Sequence, residues 1–171
     1  MNVKLLSGLL LCTCLPVAIF AQIRSPRLTF GLESQVFIAG EMNQSFDFLG
    51  GIRGQYAFHQ QAAFTHYVKL SIATDIGRQD ANLLAADLML GTNWQFNPAI
   101  SISGGIGGVY AYERHRFFSN DGSKDWQTTT TGITGQLGVN FSISNRLSTT
   151  LFVKQIAFKA TTIGLGLIYS I

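Results

Sequence analysis

Strict two-residue alternation, sustained over unusually long stretches, is what narrows the folds open to this chain. At its end Ile163, Leu165, Leu167, Tyr169 and Ile171 fall in one phase, and Thr162, Gly164, Gly166, Ile168 and Ser170 in the other. Leu84, Ala86, Leu88, Leu90, Thr92, Trp94 and Phe96 repeat the pattern, as do Phe46, Phe48, Gly50, Ile52, Gly54, Tyr56 and Phe58. A period of two places successive side chains on opposite faces of a β-strand. Eight such runs are predicted, at 28–39, 46–58, 64–76, 83–96, 100–113, 128–142, 147–158 and 161–171. Ordinary strands have a modal length of about 5–6 residues. A tilted strand crossing a bilayer needs about 9–11. Every run here is long enough for that.

The connections alternate as well. Those at 59–63, 97–99 and 143–146 are tight. The third and fifth are looser and more polar, and the fifth, Arg114 to Gln127, is the longest. Short turns on one rim and long loops on the other are the habit of outer-membrane barrels, whose short turns face the periplasm. The expected fold is therefore all-β, an eight-stranded antiparallel up-and-down transmembrane barrel.

Two barrels of this size are possible, and they differ in which face is outside. A soluble, lipocalin-like carrier has an apolar cavity and a charged exterior. Here only 12% of the residues are charged. The polar phase is made mostly of Gly, Ser, Thr, Ala, Asn and Gln, which suits the narrow interior of eight strands. A solvated exterior normally carries more charge. The apolar phase also has order along the strands. Phe30, Tyr56, Phe58, Phe64, Trp94, Phe96, Phe141 and Tyr169 lie toward the tight-turn rim, and Phe46, Phe48, Tyr110 and Tyr112 toward the long-loop rim. Val, Ile, Leu and Gly fill the space between. Two aromatic girdles around an aliphatic band match the two interfaces of a bilayer. An even number of strands allows the closure that a spanning sheet requires.

Residues 1–21 have the parts of a secretory signal: Lys4, then an apolar run from Leu5 to Phe20, then Ala21 before a cut at Gln22. The run is short for a membrane anchor and carries Pro16 late. Both cysteines, Cys12 and Cys14, fall inside it, so residues 22–171 form a barrel domain without disulfides. Its apolar, lightly charged composition excludes disorder. The net charge of +3 has no basic cluster behind it, which argues against a nucleic-acid partner.

The whole chain after the leader resembles the small eight-stranded outer-membrane barrels of the OmpA and OmpX type. Its last residues, Gly166-Leu-Ile-Tyr169-Ser-Ile171, are similar to the terminal signal read by the barrel-assembly machinery, although that family usually ends in Phe. The resemblance implies residence in the outer membrane of a Gram-negative bacterium. It also implies outer-membrane lipid and lipopolysaccharide as surroundings and the assembly machinery as a transient partner.

In this register Glu33, Asp47, Arg53, Lys69, Asp75, Asp87 and Lys154 point inward, with Glu113 near the outer rim. Isolated buried charges are costly, so these are expected to pair. An ion pathway is one reading. A salt-bridged polar plug, similar to the OmpA interior, is the expected one, because open channels belong to barrels of about 16–18 strands. Catalytic chemistry finds little footing. His59 and His66 belong to one rim and His115 to the other. The His115-Arg-Phe-Phe-Ser119 spacing departs from the His-x-Ser of lipid A deacylases, so a lipid-modifying enzyme is the alternative rather than the expectation. Neither a metal nor a cofactor is expected. Arg114, Arg116, Lys124 and Trp126, in the longest connection, are the candidate surface contacts. The expected role is structural or surface-interacting.

Overall fold

The computed structural model describes residues 27–41, 46–76, 81–119 and 122–171. The expected leader, 1–21, lies outside the described residues. Eight strands follow one another: β1 (Arg27–Gly40), β2 (Phe48–Gln61), β3 (Phe64–Asp75), β4 (Ala81–Gln95), β5 (Ile100–Ser119), β6 (Gly122–Ser142), β7 (Leu147–Ile156) and β8 (Ala160–Ser170). Each pairs antiparallel with the next, and β8 returns to β1 from Thr29↔Ser170 to Gly40↔Ala160. The sheet is thus a closed barrel with every backbone ladder satisfied internally, as lipid demands. Strand existence and phase follow the alternation. Glycines sit where a large inward side chain crosses a neighbouring strand. A Cβ at Gly91 would fall on the Tyr67 ring, and one at Gly164 on the Phe152 ring.

The structure departs from the sequence expectation in three places. First, residues 114–119 and 122–127 are strand rather than loop. The β5–β6 ladder continues through His115↔Trp126 and Arg116↔Asp125 to Ser119↔Gly122. Opposite charges and aromatic rings facing each other across the ladder stabilise such a ribbon. Its side chains at 117–119 and 122–124 lie outside the description.

Second, Phe46 and Asp47 are corrected: Phe46 is not an outward girdle residue and Asp47 is not in the lumen. Phe46 is fully buried, while Asp47 is exposed. The β1–β2 ladder ends at Val36↔Phe48, so these two residues precede β2 and escape its alternation. Phe37 N donates to Asp47 O at 3.3 Å, and the Phe46 ring turns over the barrel mouth. Fully burying a Phe side chain is worth about 1.5–3 kcal/mol, enough to decide the direction of a residue that no ladder holds.

Third, the interior is not polar throughout. Phe37, Phe46, Leu49, Leu83, Val109 and Ile156 form a buried apolar layer with the small residues Ala73, Ala85, Ala111 and Ala160. The layer spans the lumen toward the long-loop end.

The β7–β8 turn carries local strain. Ala157 and Phe158 both have positive φ, 48° and 57°, and Lys159 N donates to Ile156 O at 2.9 Å. Two consecutive left-handed residues make a hairpin turn that prefers Asn-Gly. Each non-glycine residue held there costs about 1–2 kcal/mol. Phe158 is exposed, so little packing is lost on replacing it. Ala157→Asn with Phe158→Gly should therefore stabilise the barrel by about 1–2 kcal/mol. Urea unfolding of both proteins in one detergent checks this. An unchanged midpoint would mean the turn is not strained.

Candidate functional site

From the tight-turn rim inward, the lumen begins as a cavity of about 950 Å³. Its walls are polar. Asn140 Nδ2 donates to Asn93 Oδ1 at 3.1 Å and to Ser101 Oγ at 3.3 Å. Arg27 and Arg146 stand at its mouth, and Arg53, Tyr67 and Lys69 reach it from deeper positions.

Beyond the cavity lies a belt of charge built by β1, β2, β3, β4 and β7. Asp87 is its hub. Lys154 Nζ lies 2.5 Å from Asp87 Oδ2, and Ser71 Oγ donates to the same oxygen at 2.5 Å. Lys69 Nζ is 4.0 Å from Asp87 Oδ1 and donates to Gln136 Oε1. Gln35 Nε2 donates to Glu33 Oε1 at 3.1 Å, and Thr162 Oγ1 donates to Gln35 Oε1 at 2.9 Å. Arg53 Nη2 donates to Gln55 Oε1 at 3.2 Å. Of the seven charges expected in the lumen, Glu33, Arg53, Lys69, Asp87 and Lys154 therefore share this belt. Asp75 is half-buried at the end of β3, beyond the apolar layer. Asp47 is at the surface, outside the lumen.

The apolar layer caps the belt. The residues that make it were readable one at a time, since Phe37, Leu49, Leu83, Val109 and Ile156 each break the polar phase near the long-loop end of their strands. Their meeting at one height was not readable, because it depends on register around the barrel.

Above the layer, aromatic rings tie the ribbon to the lid. The His115 ring is 5.5 Å from Phe46 and 5.3 Å from Trp126, and Phe46 is 6.3 Å from Phe37. His115 Nε2 lies 3.7 Å from Glu113 Oε2. On the ribbon, Arg114 and Arg116 both pair with Asp125, the latter at 3.3 Å. The hydrogen bond from Arg114 holds the Asp125 carboxyl below its ordinary range, helped by both positive charges. Asp125 is therefore ionised throughout the neutral range. Lys124 pairs with Phe117 in the ladder. Ser119 stands four residues from His115 along an extended strand, about 13 Å. His59 and His66 stack at 5.6 Å on the opposite rim. Among the described residues no three potential metal ligands gather.

The exterior is the reverse of a soluble protein's. Phe30, Tyr56, Phe58, Phe96, Phe141 and Tyr169 are exposed at the tight-turn rim, with Phe64 and Trp94 half-buried and stacked at 6.0 Å. Phe48 and Tyr110 are exposed toward the other rim, where Tyr112 is half-buried. Between them Leu32, Ile52, Leu70, Leu88, Ile106 and Leu165 are bare, and Leu137 is 69% exposed. No monomeric soluble protein normally presents so continuous an apolar belt. Gly166 is buried in β8, while Tyr169 and Ile171 are exposed at its end.

No protein-family model matches the chain, and no curated protein matches it in sequence. Solved structures do match. One is Ail, the attachment invasion locus protein of Yersinia pestis, with a TM-score of 0.62 at 11% identity over 85% of this chain and 97% of that one. Ail in complex with the heparin analogue sucrose octasulfate gives 0.58 at 10% identity, covering 85% and 95%. The N-terminal β-barrel domain of Pseudomonas aeruginosa OprF gives 0.55 at 12% identity, covering 88% and 100%. At such identities the likeness is one of fold, and it agrees with the bare apolar belt: the chain is a closed eight-stranded barrel of the outer-membrane type.

Proposed function

We propose that the chain is an outer-membrane protein with a structural and surface-contact role, neither a channel nor an enzyme. Residues 1–21 serve as its export signal, and Gly166, Tyr169 and Ile171 in the last strand as its assembly signal. The observation that carries this reading is the β5–β6 ladder, which runs on past a lumen closed by the Phe37–Phe46 layer. The barrel is a plugged mount, and the ribbon is what it displays. Arg114, Arg116, Lys124 and Trp126 lie on that ribbon at the height of an outer leaflet. Ail holding a sulfated sugar supports anionic groups as the contact, and lipopolysaccharide offers them where this ribbon would stand.

In vesicles containing lipopolysaccharide, the wild-type barrel should resist heating better than in phospholipid alone. Its unboiled electrophoretic mobility should persist to a higher temperature. Arg116→Glu with Trp126→Ser should lose that gain. An equal gain in both proteins would remove the ribbon from the contact, and stepwise currents in planar bilayers would show that the lumen opens.

A further inference from the structure

Below the apolar layer the lumen carries more positive than negative charge. Arg53, Lys69 and Lys154 face it with only Glu33 and Asp87 to balance them among the described residues. Lys154 and Lys69 both address Asp87. Glu33 is the diagonal cross-strand neighbour of Arg53, one inward position deeper, as Glu33↔Gly51 and Gly31↔Arg53 place them, and it offsets the Arg53 charge from the side away from the cavity. Arg53 also borders the cavity that opens at the mouth. It is 7% exposed, and its Nε has no hydrogen-bond partner among the described residues. Guanidinium is a rigid fork of donors suited to two oxygens of a phosphate or carboxylate. Three buried cations against two carboxylates leave one positive charge in excess, and burying an unmatched charge is costly, so this geometry favours an anion arriving from outside.

The space around Arg53 suits such a guest. The cavity of about 950 Å³ opens at the tight-turn rim and includes Arg53 and Lys69, with Arg27 and Arg146 at its entrance and, among the described residues, no carboxylate in its lining. Four positive groups along one path draw anions inward. The remaining walls offer hydroxyls and amides, among them Tyr67, Asn93, Ser103 and Asn140. Such groups hydrogen-bond a polyhydroxylated body. The volume is that of a small-molecule site, typically about 300–1,000 Å³.

We infer that this vestibule is a binding site for a small phosphorylated, hydroxyl-bearing solute that enters from the tight-turn side and places its oxyanion on Arg53. Nothing in this site involves the ribbon, so the two surfaces act independently. The test uses the refolded full barrel in a non-ionic detergent, with glucose 6-phosphate and inorganic phosphate as probes and glucose as the uncharged control. Phosphorus resonances of both anions should broaden saturably, the sugar phosphate binding more tightly, and glucose should compete weakly or not at all. Arg53→Gln should weaken binding at least tenfold, and Arg116→Gln on the ribbon should leave it unchanged. Should Arg53→Gln fail to show the folded mobility, Arg27→Gln with Arg146→Gln at the exposed mouth replaces it and should weaken binding at least threefold. Absence of saturable broadening in the wild type would overturn the site, as would undiminished affinity in the folded vestibule variant. Tighter binding of inorganic phosphate than of the sugar phosphate would overturn the hydroxyl-bearing part of the assignment.

Discussion

Asp87→Ala should be among the most damaging changes to the barrel, costing about 3–5 kcal/mol. The carboxylate is 3% exposed and lies between two lysines that are each 2% exposed. Removing it leaves Lys154 without its 2.5 Å partner, Lys69 without the carboxylate 4.0 Å away, and Ser71 without its acceptor. The loss comes mainly from charges stranded out of water rather than from the attraction itself, since a buried pair gains little over an apolar substitute. That distinction is measurable. Asp87→Leu combined with Lys154→Met should recover the greater part of the loss, because the second change removes the stranded charge. Urea unfolding midpoints in a single lipid composition would compare the three proteins. A shift in Asp87→Ala below about 1 kcal/mol, the scale of a solvated pair, would mean that water reaches both lysines.

The next residue gives the second large effect, from the other side of the wall. Leu88→Arg should cost about 2–4 kcal/mol in vesicles. Leu88 is 57% exposed at the middle of β4, with Leu70 and Gly108 as its ladder neighbours. If the belt faces hydrocarbon, an arginine there must drag its charge into lipid. The penalty falls to about 0–1 kcal/mol near the interfaces. Leu28→Arg, at the start of β1 and similarly exposed, should therefore be nearly silent. In a water-soluble barrel both would behave as surface changes, within about 0.5 kcal/mol. Equal, small effects at the two depths would invert the faces and restore the carrier reading.

The adjacency of these two residues shows why so much of the fold was legible. Asp87 and Leu88 differ by one position, and the pleat sends one to the lumen and the other to lipid. That requirement is local and repeats every two residues, so each strand announces itself without reference to its partners. Closure follows from the count of strands and the ban on unpaired backbone in lipid. The ribbon was harder to see. His115↔Trp126 and Arg116↔Asp125 are matched pairs only once the β5–β6 register is known. Phe46 was misplaced for the opposite reason: alternation continues through it in the sequence, but the ladder does not.

The amino-acid sequence by itself determined the strands, their faces and the barrel they close into, because bilayer, wall and lumen impose a period that each short segment carries alone. Only the tertiary structure decided what the lumen does. Lys154 meets Asp87 across 67 residues of chain, and Arg53 borders both the belt and the cavity. Those outcomes depend on how far each strand is staggered against the next around the ring. The stagger is a property of the closed sheet and of no strand within it.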